Sequence, residues 1–285
     1  MCRLFGFRSV IPSQVHRSLV AADNALSVQS SAHPDGWGVA FYVEGAPHIT
    51  RSPSTAVDDN LFHRVSGVVA SETVLAHVRK ATVGKIGVLN CHPFQYGRWT
   101  MAHNGEIRGY AEHRERLLAQ VHPRLRRFIL GDTDSEVVFF LFLTHLARHG
   151  ALSERHGVEE TSQALRATCD QIRAICDGPT QDAQALLTII VTDGVTMVAV
   201  REGKELYWSS YKTRCADRDT CPSLAPECEA PTATGFVNHL LFSSEPIHGE
   251  NIWLPLRDGE MIGVDWRMRV TRQEAARRHL AVVSA

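Results

Sequence analysis

The sequence predicts an α+β fold in which helices pack on largely antiparallel sheets. Three observations carry that expectation: strand signals before residue 104, a helical middle, and a return to strand signals from residue 186 onward. Residues 2–8 alternate as CRLFGFR, a short strand pattern. Ser13 then precedes Val15, Leu19, Ala22 and Leu26 at helical spacing, so the chain is expected to run from strand into helix. WGVAFYV (37–43), TVLAHV (73–78) and RWTMAH (98–103) are rich in β-branched and aromatic residues and flanked by Gly, Pro or Asn, which reads as three strands. Apolar residues recur every three or four positions over 111–127, 134–149 and 158–177. The second of these helices is apolar on most sides, which places it deep in a layer. LLTIIVTDGVTMVAVRE has two apolar runs around Asp193-Gly194, a strong hairpin signal. ELYWSS (205–210), HLLFSS (239–244) and EMIGVD (260–265) read as further strands. No linker or repeat divides the chain, so a single domain over 2–285 is expected, with a Pro-, Ala- and Thr-rich surface loop at 211–234.

Composition narrows the function. The 285 residues are 44% hydrophobic and 21% charged, and 30 basic residues nearly cancel 31 acidic ones. That balance gives no support to nucleic acid or an anionic membrane as the main partner. The N-terminus lacks the apolar core of a signal peptide, and the longest apolar run, VVFFLFL, is far shorter than the ~18 residues of a membrane span. A cytoplasmic protein is the default expectation. Seven cysteines, odd in number and irregularly spaced, fit reduced thiols better than a disulfide framework. Cys215, Cys221 and Cys228 could form a zinc site with His239 or His248, but their spacing is wider than structural zinc sites use. A loop with free thiols is the simpler reading.

Four polar stretches interrupt the strands, and each has a structural explanation. Pro34-Asp35-Gly36 is turn chemistry, and Asn104-Gly105 is a hairpin signal. Thr133-x-x-Glu136 is a capping box, with Asp134 suited to the first helical turn. Arg79, at the end of an apolar strand, needs a partner, either a protein carboxylate or a ligand. Together the stretches also supply what thiol-dependent amide hydrolysis requires: a cationic fork, an acid for an ammonium group, and an amide beside a glycine N–H for an oxyanion. The missing part is a base. Removal of Met1 would make Cys2 the first residue, tethering an α-amine of ordinary pKa about 7.7–8.0 to the thiol. The competing reading of Cys2 is a small buried strand residue.

MCRLFG, DGWG, H-x-R-x-A-T, N-x-HPF, W-x-x-AHNG and DTDSE occur in the order found in the class II glutamine amidotransferases, and the chain resembles that family over residues 2–136. SSEP-x(6)-W-x-x-LP-x(3)-GE (243–260) extends the likeness to short, free-standing members, including the γ-glutamyl hydrolase of ergothioneine biosynthesis. The resemblance implies the N-terminal-nucleophile hydrolase fold, a four-layer αββα sandwich of two largely antiparallel sheets. It also implies catalytic roles for Cys2 (nucleophile), Asn104 and Gly105 (oxyanion hole). Arg79 and Thr82 would bind the substrate α-carboxylate, and Asp134 the α-ammonium. Lys80 and Val83 depart from the sugar-phosphate type, which has Trp and His there. The implied reaction is hydrolysis of a γ-glutamyl amide through a thioester on Cys2, with a small-molecule γ-glutamyl substrate and no metal or cofactor. Two alternatives stand beside it: a glutaminase subunit passing ammonia to a separate synthase partner, and a non-catalytic sensor of glutamine-like ligands. No synthase domain is expected within the chain.

Overall fold

The computed structural model describes residues 2–274; the end of the expected domain, 275–285, and the question of Met1 lie outside them. Strand β1 (Arg3–Gln14) is followed by a π-helical turn at Arg17–Ala21, α1 (Leu26–Gln29) and a 3-10 turn at Ser30–Ala32. Next come β2 (Trp37–Val43), β3 (Ala46–Ser52), α2 (Asn60–Val68), β4 (Ala70–Val78), β5 (Phe94–Tyr96) and β6 (Trp99–Glu106). The helical middle is α3 (Tyr110–Gln120), α4 (Pro123–Arg126), α5 (Asp134–Leu146) and α6 (Val158–Cys176). Strands β7 (Leu186–Thr192), β8 (Met197–Val200), β9 (Tyr207–Ser209), β10 (His239–Ser243), β11 (Leu254–Pro255), β12 (Met261–Val264) and β13 (Val270–Gln273) follow.

The strands form two sheets, one of seven in the order β11-β9-β10-β1-β4-β2-β3 and one of six in the order β13-β12-β8-β7-β6-β5. Every recorded strand pair is antiparallel. Because successive strand residues face opposite sides, β1 serves two cores. Leu4 points into the layer between the sheets with Leu75, Ala102, Ile190 and Phe242. Phe5 and Phe7 point the other way and pack with Leu19, Trp37 and Phe62. A third core joins β6 and β7 to α5 and α6 through Trp99, Met101, Phe139, Phe142, Leu165 and Ile189. Helices outside, two sheets inside: this is the expected four-layer αββα sandwich. Val137 to Leu143 are all buried, in accord with the apolar pattern of α5.

Local expectations failed where tertiary pairing or proline intervened. β1 runs to Gln14, and Ser13 pairs with Ser71 of β4 instead of starting a helix. Val10, Ile11 and Pro12 favour extended backbone. The apolar positions Val15, Leu19, Ala22 and Leu26 are still buried, on a broken series of turns. The expected 111–127 helix splits at Pro123, which cannot donate into a continuing helix and instead opens α4 with His122 as its cap. Asn104-Gly105 is not a turn: both residues lie within β6, opposite Thr188 and Leu187. Asp193-Gly194 does form the β7–β8 turn, where Asp193 Oδ1 accepts from Val195 N and Thr196 N.

The DGWG stretch shows how closely the layers meet. Gly36 has φ of +129°, a conformation that side chains disfavour. A Cβ on Gly38 would lie 2.0 Å from the His92 carbonyl oxygen. Gly38→Ala is therefore expected to destabilise the protein by about 1–3 kcal/mol, read as a lowered urea midpoint. An unchanged midpoint would show that the 90–93 segment yields freely.

Candidate active site

The register of β1 against β4, Arg3 opposite Val78, carries Cys2 to the point where the chain leaves β4 at Arg79 and Lys80. Cys2 is buried, and its Sγ lies 3.5 Å from the Lys80 carbonyl oxygen and 3.4 Å from the Lys80 N, which donates to it. Burial pushes this thiol above its ordinary pKa, and the Lys80 N–H only partly offsets the effect. The group is thus a neutral thiol at neutral pH, and no side-chain base among the described residues hydrogen-bonds to it.

The other flank of β1 is held by β10. Ser244, just past that strand, donates its N–H to Leu4 O (3.1 Å) and accepts Leu4 N–H on Oγ (2.8 Å). Asn104 Nδ2 donates to the same Oγ at 3.4 Å, bridging the two sheets beside Cys2. Asn104 Oδ1 is buried without a protein partner. Gly105 has a packing requirement of its own, since a Cβ there would stand 1.8 Å from Leu186 O.

Arg79 is buried, but its partners are backbone carbonyls, not a protein carboxylate. It donates to Lys85 O at 3.0 Å and Val83 O at 2.9 Å, organising the loop after β4. Asp35 Oδ2 accepts from Ala81 N (2.8 Å), and Arg79 N donates to Gly36 O (2.7 Å), so the Pro-Asp-Gly turn clamps that loop. Asn90 and Asp132 brace its far side: Asn90 Nδ2 donates to Lys85 O and to Asp132 Oδ1. Thr82 is exposed on the same loop.

Asp134 opens α5. Its Oδ2 accepts from Ile107 N (2.7 Å), and its Oδ1 accepts from Ser135 N (2.8 Å) and Thr133 Oγ1 (3.0 Å). This carboxylate ties the end of β6 to the start of the helix. The capping box is only half made. Thr133 accepts from Ser135 N, but Glu136 reaches past the cap to accept from Leu130 N and Gly131 N. His103 Nε2 meets Leu186 O and its Nδ1 meets Ser135 Oγ, both at 2.9 Å, which marks it as an orienting residue between β6, β7 and α5.

Arg79 and Asp134, of opposite charge, both lie within electrostatic reach of the Cys2 thiol. Arg79 and Asp134 thus lie near Cys2, Asn104 is tied through Ser244 to Leu4, Gly105 follows Asn104 in β6, and Thr82 is exposed on the loop that follows β4. Sequence reasoning overlooked Ser244, the Lys80 peptide and Asp35 as parts of this arrangement; the SSEP and DGWG stretches were the signals that contained two of them. Among the described residues no group of three or more His, Cys, Asp or Glu side chains is arranged to hold a metal ion, so Cys215, Cys221 and Cys228 do not assemble a zinc site with His239 or His248.

Comparison with known proteins follows the same lines. The family model for class-II glutamine amidotransferases matches residues 1–264. A Saccharomyces cerevisiae protein described as a probable glutamine amidotransferase is 30% identical over 226 residues, covering 70% of this chain and 63% of its own. The γ-glutamyl-hercynylcysteine sulfoxide hydrolase of Mycobacterium tuberculosis is 39% identical over 119 residues, 38% of this chain and 50% of that protein. The chain thus spans less than two thirds of the length of these relatives. A glutamine aminotransferase class-II domain protein from Silicibacter pomeroyi superposes with a TM-score of 0.64 at 20% identity, covering 96% of this chain and all of that one. The glutamine phosphoribosylpyrophosphate amidotransferase of Bacillus subtilis has the same fold, with a TM-score of 0.59 at 13% identity over 95% of this chain and 49% of that one. The chain belongs to the class-II glutamine amidotransferases. No helix among the described residues is long and apolar enough to cross a membrane.

The buried His77 and His92 rings meet at a 39° tilt with centroids 4.1 Å apart, and none of their four nitrogens meets hydrogen-bond geometry with a protein partner. Burial, reinforced by nearby Arg79, pushes His77 down to about 3; burial, reinforced by His77, holds His92 well below its ordinary value. The unfolded chain takes up protons below pH 6.5 while the folded rings stay neutral. Their contribution to stability is therefore full above pH 6.5 and falls as the pH drops, by about 1.4 kcal/mol per pH unit for each ring. Between pH 7 and 5, His77→Phe should lose about 2 kcal/mol less stability than the wild type, measured by urea unfolding at both values. Equal losses would mean that the pair is not held neutral.

Proposed function

We propose that this protein hydrolyses a γ-glutamyl amide, glutamine or a γ-glutamyl conjugate, through a γ-glutamyl thioester on Cys2. The observation that carries the reading is the Cys2 thiol itself: buried, protonated, hydrogen-bonded among the described residues to the Lys80 peptide, and placed immediately before β1. A neutral thiol needs a base to attack an amide, and the α-amine released by loss of Met1 is the one group that the covalent structure must keep beside it.

In this reading the amine takes the thiol proton as Sγ attacks the γ-carbonyl carbon. The oxyanion is met by Asn104 Nδ2, turned from Ser244, and the Gly105 N–H; one such donor is typically worth about 2.7–4 kcal/mol of barrier. The protonated amine then gives its proton to the departing nitrogen as the C–N bond breaks. Water, deprotonated by the same amine, attacks the thioester carbonyl; the C–S bond breaks, the amine returns its proton to Sγ, and the glutamyl carboxylate is released. Arg79, with Thr82, would hold the substrate α-carboxylate through guanidinium N–H groups that the loop carbonyls leave unused, and Asp134 would hold the α-ammonium. Support for this pairing is that the two residues carry opposite charge and both act electrostatically on the thiol. The name of the mycobacterial relative describes a γ-glutamyl conjugate as substrate, and the same chemical class is the reading proposed for this chain.

Release of glutamate from glutamine and from γ-glutamyl amines tests the reading. Wild type should turn over at least one of them, and Cys2→Ala should reduce kcat by ~10³-fold or more. Cys2→Ser should fold normally and lose most activity, because the hydroxyl is far less acidic. Undiminished turnover by Cys2→Ala would exclude the thioester. Saturable binding of glutamine by wild type without turnover would point to a sensor, and turnover only upon adding a synthase would point to an ammonia-supplying subunit.

A further inference from the structure

On the outer face of the seven-stranded sheet, the segment between β9 and β10 roofs a cavity of about 690 Å³. It lies at the end of β1 remote from Cys2. At about 3.3 Å per strand residue, Ser9 in its wall is roughly 23 Å from Cys2, so this is a separate site. Phe7, Val15 and Leu241 supply an apolar side.

The remaining wall is polar and incompletely satisfied. His16 Nδ1, His239 Nε2 and Asn251 Oδ1 are buried atoms without a protein partner, and all three residues line this one cavity. Leaving such atoms unpaired costs about 1–3 kcal/mol each. His239 is only 9% exposed, and its register opposite Ser9 puts it on the same sheet face as Leu241. Burial, with Lys212 nearby, pushes its pKa down to about 4, so the ring is neutral and can donate or accept. Lys212 and Asn251 are partners in an isolated antiparallel bridge, which stands their side chains side by side. The Arg17–Glu250 ion pair, 2.7 Å long, and Asp217 complete a lining with two cations and two anions. A ligand that is itself zwitterionic leaves no net charge buried there.

We propose that this cavity binds a small α-amino carboxylate, free or as the end of a short peptide. Its carboxylate meets Lys212 and His239, its amino or amide N–H meets Asn251 Oδ1, and an apolar side chain lies against Phe7 and Leu241. Cys221, half-buried in the same wall, provides a reporter thiol.

The test uses the full chain carrying Cys2→Ala, so that turnover at the other site does not interfere. L-Leucine and glycyl-L-leucine are titrated calorimetrically, with L-leucinamide and 4-methylpentanoate as probes lacking one of the two charges. At least one zwitterion should bind saturably and slow alkylation of Cys221 by iodoacetamide, and both controls should bind at least tenfold more weakly. Preference between the two zwitterions separates a free amino acid from a peptide end. Adding Lys212→Met or Asn251→Leu should each weaken binding roughly tenfold or more; the two lie on opposite sides of the bridge, so one informs if the other misfolds. Absence of saturable binding by either zwitterion, equal binding of 4-methylpentanoate, or binding unaltered by both substitutions would overturn the proposal. These results are independent of whether Cys2 hydrolyses amides.

Discussion

The arrangement depends on the pairing of β1 on both of its edges. With β4 on one side and β10 on the other, the strand has no freedom to slip, because a shift of one residue would exchange Leu4 and Phe5 between two different cores. The position of Cys2 is therefore set by the whole inner structure of the seven-stranded sheet. What reaches the thiol at the strand end is the peptide of Lys80, held in place by Arg79, Asp35 and Asn90 acting on one loop. A local site thus inherits its geometry from long-range strand register.

The second constraint is the narrow gap between layers. Gly38 against the His92 carbonyl leaves no room for a side chain. The same closeness strips water from His77, His92 and the thiol, which holds the imidazoles neutral and raises the thiol pKa. One physical cause, dense burial between two sheets, thereby creates both an inert histidine pair and a cysteine in need of a base. Within the proposed mechanism, the α-amine answers that need without introducing another buried charge from a distant element.

Much of the architecture could be read from hydrophobic periodicity, because long amphipathic or apolar segments such as α5, α6 and the β7–β8 hairpin are dictated by burial. The edge strands β3, β5, β11 and β13 were not foreseen, since their residues are mixed and their pairing partners supply most of their stability. Asn104-Gly105 misled as a turn because local φ preference is weak beside a strand pairing of seven residues with β7. The candidate site was legible as residue types, through six ordered motifs, but not as contacts. Nothing in the pattern around Arg79 showed that carbonyls of its own loop would take its guanidinium, nor that Glu136 would reach beyond the cap it was expected to complete. Ser244 lay within a quoted motif, yet only the approach of β10 to β1 shows that it touches both Leu4 N and Asn104.

The central claim is that the nucleophile and its base belong to one residue at the start of β1. The most direct measurement is intact and peptide-level mass spectrometry of the active protein after reaction with 6-diazo-5-oxo-L-norleucine, a glutamine-like electrophile. The account predicts a chain that begins at Cys2 and carries one adduct on that residue. An active chain that retains Met1, or an adduct on another residue with Cys2 unmodified, would contradict it.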